Sequence, residues 1–328
     1  MSNIAFGVVP SRRLGKSLGI NNIPCKFCSY DCIYCQVGRT INKTIERRNF
    51  YNPYDIFSSV KEKINKIISE NGKNSIDYLT FVADGEPTLD INITKEVDLL
   101  REFDIPIAII SNSSLIWRED VKNDLLNFDL VSLKIDSADC SLWKRINRPH
   151  KKLSLETILN GILEFRDDYR GKLITETMIV DMQYPEEAIE KTAEFLKEVN
   201  PDKCYINTPI RPPSEEITPP KKEILLKVIE VFTEIIGKGK VIPLKTFEGS
   251  EFIISTTNVE EEILAITSVH PIREKVIKEL LTKQNITYET IEKMVKEGKL
   301  IKLNHCGEVF YMKNIKSRKN KPGGQNDR

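Results

Sequence analysis

Short apolar segments alternate with amphipathic helical patterns along most of the chain, and this alternation constrains the fold more than any other feature. Helical periodicity is clear in 186–199, where every third or fourth residue is apolar. Near-continuous apolar strands separated by such helices are typical of a parallel sheet covered by helices. The sequence therefore predicts an α/β fold of about six units, open or curled into a partial (βα)6 barrel like a TIM barrel, with ligands at the carboxyl ends of its strands. The predicted strands are 76–83, 105–110, 130–135, 173–180 and 204–207.

Length and composition fit one large domain with a smaller one. The chain has 328 residues, of which 40% are hydrophobic and 30% charged, with a net charge of +1. Domains usually hold roughly 100–200 residues, and the balanced charge argues neither for nor against nucleic acid. No apolar run approaches the ~20 residues that cross a bilayer, and the first residues lack the pattern of a signal peptide. We therefore expect a cytoplasmic protein with no membrane partner.

Four of the seven cysteines lie within residues 25–35, and three of them follow the spacing Cys28-x3-Cys32-x2-Cys35. Three such thiolates can bind three irons of a cubane iron–sulfur cluster and leave the fourth iron open to a small molecule. Zinc is the alternative, because Cys25-x2-Cys28 and Cys32-x2-Cys35 resemble zinc-binding pairs, although the loop between them is short for a zinc site. A disulfide is less expected in a chain without a secretory signal. The remaining cysteines are predicted to be packing residues: Cys140, Cys204 and Cys306.

A second motif, Asp84-Gly85-Glu86-Pro87-Thr88, directly follows the first predicted strand. Gly85 allows the backbone to approach a ligand closely. Glu86 is expected at the carboxyl end of the strand, where its carboxylate can accept charge-assisted hydrogen bonds from an ammonium group. Pro87 restricts the turn. The alternative is an ordinary turn with an exposed acid, and the cysteine motif upstream favours the ligand site.

Together these motifs resemble those of the radical S-adenosylmethionine (radical SAM) superfamily. The resemblance rests on the cysteine triad, with Tyr34 before its last cysteine, and on the Gly85-Glu86-Pro87 turn after a strand. The longer runs 9–20, 34–40 and 84–88 are similar to a branch of archaeal and bacterial iron–sulfur oxidoreductases. That branch is related to the wyosine tRNA-modifying, 4-demethylwyosine synthase-like enzymes. The resemblance covers roughly residues 4–245.

The resemblance implies a role for each motif residue. Cys28, Cys32 and Cys35 would bind a [4Fe-4S] cluster, and the methionine part of S-adenosylmethionine (SAM) would occupy the open iron. Glu86 would help hold the SAM amino group, and Tyr34 would lie near the adenine. A reductant such as ferredoxin or flavodoxin would supply the electron for SAM cleavage. The radical formed from SAM would then abstract hydrogen from a substrate. The candidate substrate is tRNA or another RNA.

The wyosine-forming enzymes carry a second cluster on further upstream cysteines, whereas only Cys25 lies upstream of the triad here. This difference argues against a second cluster, and therefore against the same reaction. Cys25 is predicted to pack or to have a peripheral role. No residue is assigned as catalytic from the sequence.

Polar residues after or within other predicted strands are candidates for the same site. Asn112 follows the strand at 105–110, and Ser132 and Lys134 alternate with apolar residues within the strand at 130–135. Internal salt bridges among these side chains are the alternative. Arg211 either meets an anionic substrate or is an ordinary loop arginine. The predicted cofactor-binding set is Tyr34, Gly85, Glu86, Pro87, Asn112, Ser132 and Lys134, whereas the histidines are expected at surface or capping positions: His150, His270 and His305.

The chain after about residue 268 follows a different pattern. Two helical segments, one beginning at Pro271 and one capped by Thr287, precede strand-like runs at 300–303 and 309–312. Two helices and a hairpin predict a small winged-helix-like module, and the Lys- and Arg-rich end of the chain predicts a disordered basic tail. Four regions are therefore predicted. The core domain with its N-terminal extension is 1–247, the linker is 248–268, the winged-helix-like module is 269–315 and the tail is 316–328.

Three functions remain open from the sequence. The first is a radical SAM enzyme, the second an iron–sulfur redox sensor that regulates a nucleic-acid binder, and the third an electron carrier whose cluster is closed by Cys25. A sensor needs neither the turn at Gly85 nor a sheet of this size. Its predicted second C-terminal helix also carries more glutamates than lysines, which is poor for phosphate binding. The enzyme is the favoured prediction.

Overall fold

A computed structural model describes residues 4–244, 252–254 and 258–314. Ten helices and thirteen strands lie within these described residues. The strands are β1 (Ala5–Ser11), β2 (Gly15–Ile20), β3 (Phe27–Cys28), β4 (Asn42–Lys43), β5 (Tyr78–Phe81), β6 (Ile107–Ser111), β7 (Leu130–Lys134), β8 (Lys172–Met178), β9 (Lys203–Asn207), β10 (Val241–Pro243), β11 (Ile272–Arg273), β12 (Leu300–His305) and β13 (Glu308–Lys313). The helices are α1 (Pro53–Asn71), α2 (Ile93–Leu100), α3 (Glu119–Leu125), α4 (Cys140–Asn147), α5 (Leu155–Asp168), α6 (Glu186–Val199), α7 (Lys222–Ile236), α8 (Val259–Val269), α9 (Glu274–Lys283) and α10 (Glu289–Lys296). No described helix is long and apolar enough to cross a bilayer.

The main sheet has eight strands in the order β1-β2-β5-β6-β7-β8-β9-β10. Neighbours from β2 to β10 pair in parallel, and β1 pairs antiparallel with β2. At least one helix connects each pair of consecutive parallel strands, from α1 after β2 to α7 after β9. Because the strand order never reverses, successive βα units advance in one direction, as they do in a TIM-like barrel. The predicted α/β fold is confirmed.

The helices bury the apolar faces that their periodicity predicts. In α1, Ile56, Val60, Ile64 and Ile67 are each at most 3% exposed and pack into the main core. The side chain of Asn52 accepts a hydrogen bond from the backbone N–H of Tyr54, two residues on, and so caps the start of α1. Fully burying a side chain of this size contributes roughly 1.5–3 kcal/mol. This packing holds the strand ends in register, and those ends form the site described below.

The β1–β2 hairpin was not predicted from the sequence. Its segment mixes apolar residues with Gly and Pro, and the pairing register shifts between Phe6 and Val9. Gly7, within this irregular part, has a φ of 78°, a backbone conformation that favours glycine. The bulge breaks the strict alternation by which a strand is recognised in a sequence. The hairpin extends the parallel sheet by one antiparallel edge strand.

The C-terminal region contains the predicted helices, α9 and α10, and the predicted hairpin of β12 and β13. The strand order in its small sheet is β11-β13-β12. Two details differ from the prediction. Pro271 precedes β11 rather than beginning a helix, and residues 259–268 of the linker predicted at 248–268 belong to helix α8, whose Ile263 and Ile266 are fully buried. The likeness to a winged helix stays a prediction, and the tail predicted at 316–328 lies outside the described residues.

Two buried carboxyl groups, those of Asp90 and Glu96, face each other beside α2. Both side chains are fully buried. Burial, and then the charge of Asp90, raises the pKa of Glu96 to about 9. Glu96 is therefore protonated in the folded protein at neutral pH, and it can donate a hydrogen bond to Asp90.

Replacing Glu96 by glutamine is expected to raise the melting temperature increasingly between pH 5 and pH 9. In that range the unfolded chain has lost the proton that the folded chain keeps, so the stability of the wild type falls as the pH rises through this window. Glutamine keeps the neutral form, and the difference should grow by roughly 2 °C for each pH unit. Thermal unfolding followed by circular dichroism measures it. The exposed Glu70→Gln variant is the control, and an equal gain for both variants would rule out the proposed cause.

Candidate active site

A cavity of about 260 Å³ opens at the carboxyl ends of the parallel strands. Residues from the ends of several strands line it, among them Gly85, Asn112, Lys134 and Asn207. The three cysteines of the motif line the same cavity: Cys28, Cys32 and Cys35. None of the seven cysteines, all of which lie in the described part of the chain, forms a disulfide. The fold thus brings together the two motifs that the sequence separates by about fifty residues.

Backbone hydrogen bonds join the cysteine loop to its surroundings on two sides. The Glu86 N–H donates to the Phe27 carbonyl over 3.0 Å, next to the first cysteine. The Asp31 N–H donates to the Asn147 carbonyl at the end of α4, also over 3.0 Å. The loop therefore has fixed ends, which is the support that a site needs if three side chains are to hold one group.

Two side-chain amides direct N–H groups at cysteine sulfurs. The Nδ2 atom of Asn112 lies 3.5 Å from Sγ of Cys28, and the Nδ2 atom of Asn147 lies 3.4 Å from Sγ of Cys32. Hydrogen bonds to sulfur stabilise the thiolate form and are among the contacts that set the reduction potential of an iron–sulfur cluster.

The surroundings of the thiols disfavour their charged form in the absence of a cation. Burial, and then the charge of Glu86, raises the pKa of the Cys28 thiol to about 12. Burial, and then the charge of Asp136, raises the pKa of the Cys32 thiol well above its ordinary value. Metal binding deprotonates such thiols and offsets their charge. Three half-buried cysteines with two N–H donors therefore suit a cationic iron–sulfur core.

In the described ranges, no three His, Cys, Asp or Glu side chains are grouped closely enough to hold a single metal ion. A cubane cluster does not require that grouping, because each of its cysteines binds a different iron.

The turn after β5 brings the backbone of Gly85 close to the cysteine loop. A Cβ atom at Gly85 would lie 1.8 Å from the carbonyl oxygen of Phe27. The φ angle of Gly85 is unremarkable for any residue, so the glycine is required by this close approach alone.

Glu86 is buried, with 1% of its surface exposed, and most of its carboxylate is already hydrogen-bonded. Its Oε1 accepts from the backbone and hydroxyl of Thr88 and from the hydroxyl of Ser111, at 2.6–3.1 Å. Its Oε2 accepts from the Asn112 N–H at 2.7 Å. A carboxylate offers about four acceptor positions, so Oε2 can accept one more hydrogen bond, and Glu86 is among the residues that line the cavity. Burial raises the pKa of Glu86, and these donors oppose that rise.

Tyr34 lines the cavity and is held in place by Asp136. The Tyr34 hydroxyl donates to Asp136 Oδ2, which also accepts from Asn147 Nδ2 at 2.5 Å. The Lys134 ammonium lies 5.5 Å from the centre of the Tyr34 ring. The ring is thus fixed by its hydroxyl and by a neighbouring cation, and its orientation is set before any ligand binds.

The family model described as Radical SAM superfamily matches residues 22–196, more than half of the chain. The chain belongs to the radical SAM superfamily. It is an enzyme, and its cofactors are a [4Fe-4S] cluster and S-adenosylmethionine, as the sequence predicted. The match includes the cysteine loop, the turn at Gly85 and strands β5 to β8.

The chain is also similar to a curated protein and to solved structures. A UPF0026 protein of Methanocaldococcus jannaschii is 71% identical over 317 residues, which cover 96% of this chain and 97% of that protein. The crystal structure of a radical SAM methyltransferase from Sphaerobacter thermophilus matches with a TM-score of 0.50 and 12% identity. The matched part covers 70% of this chain and 67% of the methyltransferase chain. That likeness shows a shared fold. A structure of TYW1 with a lysine-pyruvate adduct bound has a TM-score of 0.49 and 16% identity, over 66% of this chain and 73% of its own.

Two members of the predicted SAM-binding set are not among the residues that line the cavity in the described part of the chain. Pro87 is buried and begins a short 3-10 turn that Glu86 caps. Ser132 is fully buried and donates to Glu176 Oε1 at 2.7 Å. Both residues contact residues of the wall instead. The polar face of β7 that the sequence indicated therefore serves partly for contacts within the protein.

Glu176 is the centre of a polar network that the sequence indicated only in outline. It is 2% exposed and accepts hydrogen bonds from Arg13 at 2.8 Å, and from Ser132 and Asn207 at 2.7 Å. Burial alone would raise its pKa, but the charges of Arg13 and Lys134 and these hydrogen bonds lower it overall. Glu176 is therefore ionised beside the cavity. Through Ser132, this network includes one member of the predicted polar set.

Several residues of the wall were missed or undervalued by the sequence analysis. Arg12 and Arg13 lie at the turn of the unpredicted β1–β2 hairpin. His270 is the C-terminal capping residue of α8, one of the positions expected for it, and it also lines the cavity. Asn147 has no sequence signal, because only the packing of α4 against the cysteine loop brings it to Cys32. Cys25 lies apart from the cavity-lining residues identified among the described ones, and its thiol contacts the Asp84 carboxylate.

Proposed function

We propose that Cys28, Cys32 and Cys35 hold the [4Fe-4S] cluster of this radical SAM enzyme, and that the wall beside them binds SAM. The observation that carries this proposal is that the three thiols and the Gly85-Glu86 turn line one cavity at the carboxyl ends of the parallel strands. When bound and reduced, the cluster supplies the electron that cleaves SAM to a 5′-deoxyadenosyl radical, which removes hydrogen from a substrate.

The chain's own residues would position the cofactors and exclude water. Asn112 and Asn147 would donate hydrogen bonds to the cluster-bound sulfurs, as they do to the thiols. The remaining acceptor position on Glu86 Oε2 suits the SAM amino group. Tyr34, fixed by Asp136 and Lys134, offers a flat apolar surface to a base. Gly85 and Lys134 complete the part of the wall that faces these groups.

The substrate class and the cellular partners belong to the same proposal. RNA, with tRNA first, is the substrate class suggested by the wyosine-related motifs in 9–20, 34–40 and 84–88. A low-potential protein such as ferredoxin or flavodoxin would act as the electron donor. We place the enzyme in the cytoplasm, because a reducing compartment keeps cysteines available for a cluster.

Anaerobic reconstitution with iron and sulfide tests the proposal. We expect the reconstituted protein, reduced with dithionite in the presence of SAM, to release 5′-deoxyadenosine that chromatography detects, and more of it when bulk tRNA is added. Omitting dithionite is the first control. A protein that incorporates a cluster but shows no spectral change with SAM and no 5′-deoxyadenosine would overturn the enzymatic proposal and favour an iron–sulfur regulator. Retention of duplex DNA on a filter would then be measured.

A further inference from the structure

A basic patch on the protein surface covers the cysteine loop from outside the cavity. Lys43, Lys151 and Lys152 are exposed, and Ile41 is 56% exposed. We call these four residues the lysine patch. None of them is among the cavity-lining residues found in the described part of the chain. A cavity of about 260 Å³ admits small molecules but no protein, so a protein that reduces the cluster has to approach it across an outer surface such as this one.

Strand β4 joins the lysine patch to the first cysteine of the motif. Lys43 lies opposite Cys28 in the pairing of β4 with β3. The Thr44 N–H donates to the Cys28 carbonyl at 3.0 Å, and the Lys43 ammonium donates to the Arg148 carbonyl, also at 3.0 Å. A single backbone hydrogen bond therefore separates the surface segment from a residue proposed to bind the cluster.

The segment after α4 brings the other two lysines to the same loop. The His150 N–H donates to the carbonyl of Ser29 in the cysteine loop at 2.9 Å, and Lys151 and Lys152 follow directly. Burial, and then the charges of Lys152, Lys151 and Lys43, lowers the pKa of His150. All three lysines act on this one side chain, which places them together on the surface.

The acidic neighbours of the lysine patch do not cancel its charge. Glu215 accepts a hydrogen bond from Arg148 at 2.9 Å and also pairs with Arg39. Asp31 lies 3.6 Å from Arg39. Glu46 is the carboxylate whose charge opposes the three lysines at the neighbouring histidine. Since these acids are paired or outnumbered, the patch presents a net positive charge, which suits an acidic partner.

We propose that the lysine patch is the docking surface of an acidic electron-transfer protein that reduces the cluster. This inference rests on the proposed function and names the surface that its electron donor would use. One electron would pass from the reduced donor to the oxidised cluster without forming or breaking a bond, and the oxidised donor would then leave. The contact between β3 and β4 offers a short hydrogen-bonded path for that electron. The lysines would steer the donor, and Ile41 would supply an apolar contact in an interface of the small, transient kind that electron-transfer proteins form.

The position of the lysine patch favours a protein partner over RNA. Phosphates are also attracted to lysines, but an RNA substrate has to place its reacting group inside the cavity, and the patch lies outside it. An exposed isoleucine beside the lysines adds nothing to phosphate binding, whereas it contributes to the burial of apolar surface between two proteins. RNA binding is therefore the competing outcome of the test.

Binding and electron transfer to the reconstituted full-length protein test the docking surface. A purified flavodoxin and a purified ferredoxin, both acidic, are the probes. Calorimetry measures the binding of their oxidised forms, and stopped-flow absorption follows the flavodoxin semiquinone that appears as the cluster is reduced. We expect the Lys151→Glu/Lys152→Glu variant to bind both probes more weakly and to accept electrons roughly tenfold more slowly at low salt. The difference should shrink at about 0.5 M sodium chloride, which screens surface charges.

Lys172→Glu/Lys197→Glu is the matched control, because it reverses two exposed lysines at the opposite end of the sheet. Lys172 begins β8, and Lys197 lies in the last turn of α6, before β9. This variant should behave like the wild type. Photoreduction by deazaflavin, a small molecule, should reduce the cluster equally in all variants and so show that the cluster is intact. Ile41→Ser should weaken binding by a smaller factor that persists at high salt, because it removes an apolar contact.

Equal binding and equal rates for the patch and control variants, or no binding of either probe by the wild type, would overturn the docking surface. A patch variant that lost retention of tRNA on a filter but kept full reduction by flavodoxin would assign the patch to RNA and overturn it as well. Release of 5′-deoxyadenosine after photoreduction is measured on the same samples. SAM cleavage without patch-dependent reduction removes only the docking surface, and patch-dependent reduction without SAM cleavage removes only the proposed enzymatic role.

Discussion

Replacing Cys32 by alanine is expected to lower the yield of 5′-deoxyadenosine by roughly 100-fold or more, because changes even to groups that only support a metal ligand cost 10–100-fold. Cys32 lies between the other two cysteines of the loop, and its sulfur accepts an N–H from Asn147. Without this thiol one iron would lose its protein ligand. Iron and sulfide content, the visible absorption of the reconstituted protein and chromatography of the SAM products measure the effect.

Two matched cysteine variants separate this effect from a general loss of thiols. Cys140→Ala removes an exposed cysteine at the start of α4 and should leave the cluster content unchanged. Cys25→Ala removes the fourth cysteine of the motif region, and it should also retain the cluster and SAM cleavage. A Cys25→Ala protein that lost its cluster would instead support a site closed by four cysteines. A Cys32→Ala protein with full activity would refute the ligand assignment.

Substituting Gly85 by alanine is expected to destabilise the protein by about 3 kcal/mol or more. The added Cβ would lie 1.8 Å from the Phe27 carbonyl oxygen, and a backbone atom cannot move aside as a flexible side chain can. The Phe27 carbonyl also accepts the Glu86 N–H, so the clash acts on the contact that joins the two motifs. We expect a lower melting temperature and, because Phe27 precedes Cys28, a lower cluster content as well.

The control for this substitution is Gly239→Ala. A Cβ at Gly239 meets no described atom within 4 Å, and its φ angle is not in the region that favours glycine. Its melting temperature should match that of the wild type or exceed it slightly, because alanine restricts the unfolded chain. Equal melting temperatures for the two variants would mean that the loop moves away from Gly85 at no cost, and that the close approach is not a constraint.

The parts of the fold that follow a regular period were predictable from the sequence. The apolar face of α1 and the near-continuous apolar residues of β6 and β7 gave the parallel α/β arrangement, because burial in a layered fold imposes those periods. The hairpin of β1 and β2 was missed because a bulge near Gly7 interrupts its alternation. Helix α8 was missed because its residues were judged to be part of a linker, although Val259, Ile263, Ala265 and Ile266 are buried.

The site was predictable where a short motif carries its chemistry and not where separate segments meet. The cysteine triad, Glu86 and Asn112 were found because spacing and position after a strand reveal them. Ser132 was placed on the cavity wall but is not among the residues that line the cavity in the described part of the chain, since one face of a strand can be polar for the sake of a buried neighbour such as Glu176. Asn147 and Arg12 reach the site only through tertiary packing, which the sequence does not show locally.

The first strand of the sheet depends on residues that are synthesised much later, about 245 positions further along the chain. Val8 in β1 exchanges two backbone hydrogen bonds with Ile253, at 2.9 and 3.0 Å, and Phe6 packs into the apolar cluster of the C-terminal region. A ribosome adds roughly 5–20 residues per second, so the N-terminal strand waits for many seconds before its neighbours exist. Val269 and His270 are part of the cavity wall, and the pocket cannot be complete until they emerge. We expect the cysteine loop to react faster with alkylating reagents in nascent chains that end before α8 than in the finished chain. Such an open interval would give cluster-assembly proteins time to act on the cysteines.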